Sequence, residues 1–175
     1  MTAHPARHRP HGPLPDADPG AAPAAPDGPV GREATRRGLA LVRAYASGDS
    51  AAIATALDSA DPAVRAQLPS VTGDLLRLVV GVVLSGPRTF TPDDVVRTAD
   101  RIAAAAPPHH ELAATQAVRA WAHRGDAQPP AAWRGADAGP HGTAVLAASL
   151  AVTAWGEGPL LGLLAAFDDL AGTHA

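Results

Sequence analysis

A chain of 175 residues with a net charge of −3 and no cysteine has room for one domain and a tail, and it excludes several chemistries at the outset. Without cysteine there is no disulfide, no thiolate zinc site and no thiol nucleophile. Without a cationic excess, the chain is not expected to neutralise nucleic-acid phosphates broadly.

Lysine and asparagine are also missing, while Ala, Gly, Pro, Arg, Val and Leu dominate. This is the signature of a high-GC genome, in which short motifs built from those residues arise by chance. Residues 1–31 hold eight of the 18 prolines and almost no large apolar side chains beyond Leu14 and Val30. Such a segment cannot bury enough surface to offset the ~1–2 kcal/mol of backbone entropy lost per ordered residue. The expected organisation is a disordered Pro/Ala/Gly-rich tail over 1–31 and an all-helical domain over 32–175. Basic residues near the start are not followed by an apolar stretch of the signal-peptide kind, so the expected compartment is the cytoplasm.

From Arg32 the pattern turns helical. In REATRRGLALVRAYASG, Leu39, Val42 and Ala46 recur at i, i+3 and i+7, with Leu41 and Tyr45 widening the apolar stripe. Gly48 ends this helix, and Asp49 or Ser50 can cap a short one over 50–59 whose Ile53, Ala56 and Leu57 turn inward. Asp61-Pro62 supplies a capping acceptor and a first-turn proline for a third helix. Val64, Leu68, Val71, Leu75, Leu78, Val79 and Val82 form its expected core stripe, and LLRLVVGVVL (75–84) is apolar almost all round. That run is about ten residues long where a membrane span needs about 20, so the expectation is a central helix.

Thr91, Pro92 and the pair Asp93-Asp94 give the cleanest helix start in the chain. They supply a capping hydroxyl, a first-turn proline and two carboxylates at the positive end of the helix dipole. Val95, Val96, Ala99, Ile102 and Ala103 are its inward residues, and Pro107-Pro108 ends it. A further helix is expected over 109–124, with Leu112, Val118, Trp121 and Ala122 inward, followed by a Pro- and Gly-rich loop over 126–142. TAVLAASLAVTAW (143–155) then forms an uncharged helix, GEGP turns the chain, and Pro159 opens a last helix whose Leu160, Leu163, Leu164, Phe167 and Leu170 share a face. No alternating run of β-branched residues competes, so the expected fold is all-α: a single compact domain of about six or seven helices around one core. Each arm of 143–167 is too short to cross a bilayer, and GEGP would fall at its middle.

Two phrases repeat. LVRAYASGD (41–49) and AVRAWAHRGD (117–126) align at a spacing of 76 residues, each with an aromatic ring about one turn before a Gly-Asp stop. A duplicated helical unit and a shared stopping grammar both account for this, and the divergent downstream halves favour the second. The first phrase resembles a loosely written tetratricopeptide repeat, a family whose aromatic fills the groove between paired helices and whose stacked units bind peptides. The ring-to-Gly spacing is one short, and nothing similar lies between the two copies, so the chain is not placed in that family. Residues 39–84, in the order helix, Gly-Asp, short helix, Asp-Pro, long apolar helix, are similar to small all-helical proteins of high-GC actinobacteria. That resemblance covers about the first third of the helical part and implies no activity.

Catalytic chemistry finds little support. His109-His110-Glu111 is the densest group of ligand types, but adjacent side chains on a helix diverge by about 100°, and neither histidine has another at i+4. His123 and His141 are distant in sequence. Asp168-Asp169 lacks a second acidic pair, the glycine-containing stretches lack the Gly-Lys of a phosphate loop, and no G-x-S-x-G elbow occurs. Asp74 and Arg77 are expected as a surface pair, the arginine stem packed and its head wet. No catalytic, metal-binding or cofactor-binding residue and no cofactor are expected, and the balance leans against an enzyme.

Trp133 and Arg134, side by side in the Pro-rich loop, are the candidate partner-binding residues, because both types are over-represented at binding hot spots. The leading expectation is a non-enzymatic helical interaction or regulatory protein holding a protein partner. One alternative is a DNA-associated helix-turn-helix-like regulator, which requires Arg37, Arg43, Arg119 and Arg124 to form one basic face. Another is a bundle binding a small apolar ligand in a closed pocket behind 75–84. Nucleic acid and membrane are not expected as partners, and spare leucines on 159–171 permit a homodimer.

Overall fold

The computed structural model describes residues 28–58, 61–87, 90–106, 115, 118–119 and 139–173. Among these there are six helices and no strand: α1 (Pro29–Ser47), α2 (Ser50–Leu57), α3 (Pro62–Ser85), α4 (Pro92–Ala103), α5 (Gly139–Trp155) and α6 (Glu157–Thr173). The fold is all-α, as the periodicity implies. Residues 1–27 of the expected tail, most of the expected helix over 109–124 and the loop up to residue 138 lie outside the described residues.

The helix ends follow from local chemistry. α1 starts at Pro29, three residues before the change of pattern at Arg32, because Gly28 is extended and Pro29 is already set for the first helical position. It ends in a Schellman turn: Gly48 sits at φ 68°, and the Asp49 N–H donates to the Ala44 carbonyl at 2.9 Å. The Asp49 carboxylate then accepts from the Ala52 N–H at 2.9 Å and starts α2. Arg37 closes this hairpin. Its Nη1 donates to the carbonyls of Thr55 and Asp58 at 3.2 and 2.8 Å, placing a cation at the negative end of α2.

α3 runs without a break through Pro69, so the ten-residue apolar run is embedded in a helix of 24 residues. By length and composition alone, Pro62–Val83 is long and apolar enough to cross a membrane, although part of it is buried in the protein. α4 opens at the expected Thr91 cap, and the cap is a reciprocal box: the Thr91 hydroxyl accepts from the Asp94 N–H at 3.3 Å, and Asp94 Oδ2 accepts from the Thr91 N–H at 2.7 Å.

α5 is the hub, packed against α1, α3, α4 and α6. Every residue from Gly139 to Val152 is buried, which is the physical reason its sequence has no polar face. The helix begins at Gly139, four residues before the expected start at Thr143; Pro140 is tolerated because first-turn N–H groups need no partner within the helix. Gly156, at φ 88°, breaks the chain after Trp155, and α6 leaves at 118° to α5.

Two of the expected core faces are rotated. On α3 the buried residues are Val64, Leu68, Thr72, Leu76, Val80 and Val83, while Leu78 and Val82 are half in water. The expected stripe is therefore wrong by about one residue of rotation in the apolar run, where Arg77 is the only polar residue and does not by itself choose the buried face. On α6, Leu160 and Leu164 are buried but Leu163 and Phe167 are exposed, so these four residues of the expected face are not all buried; the side chain of Leu170 lies outside the described residues.

Candidate interaction surface

The exposed part of these rotated faces is the most distinctive surface of the molecule. Leu78 is 56% exposed, Val82 50%, Leu163 45% and Phe167 44%. Each pair lies one turn apart, Leu78 with Val82 on α3 and Leu163 with Phe167 on α6, so each makes a short apolar ridge. α1 packs against both α3 and α6 and joins the two helices into one scaffold. Covering the exposed half of such a side chain is worth roughly 1 kcal/mol. The α3 ridge is edged by Asp74 and Arg77, ion-paired to each other, with side chains 63% and 68% exposed. That is the wet surface pair the sequence suggests.

Two pairs of buried polar side chains bond to each other across the helix contacts. The Tyr45 hydroxyl is hydrogen-bonded to Nδ1 of His141, with the rings edge to face at 6.0 Å between centroids, and both residues are buried. Burial pushes the Tyr45 phenol well above its ordinary range. The Thr143 hydroxyl donates to the Thr72 hydroxyl at 2.7 Å in the α3–α5 contact. These links join residues 96 and 71 positions apart, and no spacing rule in the sequence points to either.

Trp133 and Arg134, the expected partner-binding residues, lie outside the described residues, as do His109, His110, Glu111, His123, Arg124 and the side chains of Asp168 and Asp169. His141 is described and is a core residue bonded to Tyr45. The arginines that would have to make a basic face are spread over separate tasks. Arg37 binds Glu33 and α2, Arg43 is half-buried, and Arg119 pairs with Asp100 at 2.9 Å. Among the described residues no three His, Cys, Asp or Glu side chains are grouped to hold a metal ion.

The chain matches no family model, no curated protein and no solved structure.

Proposed function

We propose that this is a non-enzymatic helical protein that acts by holding a protein partner on the apolar ridges of α3 and α6. The carrying observation is the exposure of Leu78, Val82, Leu163 and Phe167 on helices whose opposite faces are well packed. Paired large apolar side chains left at the surface of a helix support a contact site, and a polar rim such as Asp74 and Arg77 is common around one. The dispersal of Arg37, Arg43 and Arg119 weighs against the DNA-associated alternative, which needs them on one face.

The test is capture from the host lysate with the tagged full chain, beside a Leu78→Glu/Val82→Glu variant and a Leu163→Glu/Phe167→Glu variant. All three must give the same helical circular-dichroism spectrum. One protein retained in stoichiometric amount by the wild type, and lost by at least one variant, is the expected result. Retention of the same proteins by all three chains, or of none by the wild type, would reject the reading.

A further inference from the structure

Along α4 there is an open cleft of about 500 Å³, lined by Phe90, Asp94, Arg97, Thr98, Arg101 and Thr153. Asp94, Arg97, Thr98 and Arg101 fall on one side of α4 because they are spaced three or four residues apart in overlapping pairs. Thr153 reaches in from α5, its hydroxyl donating to the Thr98 hydroxyl at 3.0 Å. Phe90, half-buried, forms the apolar wall and packs against the core.

The charges in this cleft are unequal in their freedom. Asp94 is held from two sides: Oδ2 accepts from the Thr91 N–H and hydroxyl, both at 2.7 Å, and Oδ1 from Arg97. Those contacts hold its carboxyl below the ordinary range, the Thr91 hydrogen bonds acting most strongly. Arg97 is thus paired with Asp94. Arg101 makes no ion pair among the described residues, so the cleft carries one uncompensated positive charge. Thr98 accepts from Thr153 and donates to no described residue, which leaves its hydroxyl hydrogen for an acceptor in the cleft.

We propose that this cleft binds a small organic monocarboxylate, with the carboxylate on Arg101 and the Thr98 hydroxyl and an aromatic or aliphatic body against Phe90. The volume lies within the range of small-ligand sites, about 300–1,000 Å³. A planar guanidinium suits a carboxylate through two parallel hydrogen bonds. A single free cation matches a single negative charge, and the fixed Asp94 carboxylate repels a dianion such as phosphate. The site is separate from the apolar ridges of α3 and α6, so its fate does not depend on the partner reading.

The test is isothermal titration of the full chain with 3-phenylpropionate at an ionic strength of about 0.15 M, where loose surface attraction is screened. The neutral 3-phenylpropionamide and inorganic phosphate are titrated alongside. Saturable 1:1 binding of the carboxylate is expected, at least tenfold weaker for the amide, for phosphate and for an Arg101→Gln variant. Thr98→Val should weaken it about three- to fivefold, and Arg65→Gln, at an exposed site on α3, should leave it unchanged. Arg101 is exposed, so its replacement leaves the fold intact, as thermal melting will verify. No saturation by the wild type, equal binding of the amide, tighter binding of phosphate, or an unaffected Arg101→Gln variant would each overturn the assignment.

Discussion

α3 and α5 are both long apolar helices and pack side by side, yet they occupy different environments. α5 is enclosed from Gly139 to Val152 by four neighbours. α3 gives the core one face, through Leu68, Thr72, Leu76 and Val80, and leaves Leu78 and Val82 in water. The difference lies in the neighbours and in the side chains: α3 carries Arg65, Asp74 and Arg77, whereas α5 carries no charged residue. A helix that must satisfy contacts on every side needs uniform apolarity; a helix packed on one side can carry charges and still leave part of an apolar face over. That leftover face is the observation on which the proposed partner contact rests.

The comparison is most directly broken by matched truncations. Leu146→Ala on α5 and Leu76→Ala on α3 each open a cavity at a fully buried site, and each should cost about 2–5 kcal/mol. Leu78→Ala, two residues from Leu76 but facing water, should change stability by about 0.5 kcal/mol or less. Urea unfolding curves with a common slope will measure all three. A Leu78→Ala loss as large as that of Leu76→Ala would mean that α3 has no open side.

A smaller effect is expected at the α1–α5 contact. Tyr45→Phe keeps the ring but removes the bond to His141, and stranding a buried polar atom costs about 1–3 kcal/mol. The same contact sets a response to alkali. An unfolded tyrosine titrates near pH 10, whereas the buried Tyr45 titrates higher because desolvation disfavours its anion. Below about pH 10 both states hold the phenolic proton and Tyr45 adds no pH dependence. Above it the unfolded state loses the proton first, so stability falls as pH rises, by up to about 1.4 kcal/mol per pH unit. Tyr45 is the only tyrosine, so the tyrosinate band near 295 nm, taken as the difference from the Tyr45→Phe variant, reports it alone. Tyrosinate should appear together with unfolding, and the Tyr45→Phe variant should lack this alkaline slope. Tyrosinate formed in a still-folded chain would show that the α1–α5 contact is open to solvent.

How far the sequence reaches follows the same division. The stop at Gly48, the caps at Asp49 and Asp61 and the Thr91/Asp94 box depend on a few adjacent residues, and they are legible. The inward residues of α4 are legible too, because Asp93, Arg97 and Arg101 mark its wet side. In α3 from Leu75 to Leu84 only Arg77 and Gly81 interrupt the apolar run, so periodicity cannot choose the buried face, and the expected stripe takes in Leu78 and Val82. The start of α5 hides behind Gly139 and Pro140, residues that ordinarily signal a loop. The Tyr45–His141 and Thr72–Thr143 pairs are set by tertiary placement and leave no local trace. The candidate ridges arise from those same rotated faces, so the site was illegible where the fold was.

The finest test of the two sides of α3 uses glycine, because its sign and not only its size is at stake. An alanine in a helix interior is ordinarily better than glycine by about 0.8–1 kcal/mol. At Gly81, on the open side of α3, an added Cβ meets nothing within 4 Å, so Gly81→Ala should stabilise by about 0.5–1 kcal/mol. At Gly38 on α1 the same Cβ would lie 2.6 Å from Val71 Cγ1, on a β-branched side chain with little freedom to turn away. Overpacking of this kind costs about 1–3 kcal/mol, which outweighs the propensity gain, and Gly38→Ala should destabilise by about 1 kcal/mol. Melting temperatures moving in opposite directions would fix α1 as the close neighbour of α3 at Val71 and open water as its neighbour at Gly81. Two shifts of the same sign would mean that α3 is equally covered, or equally bare, on both sides.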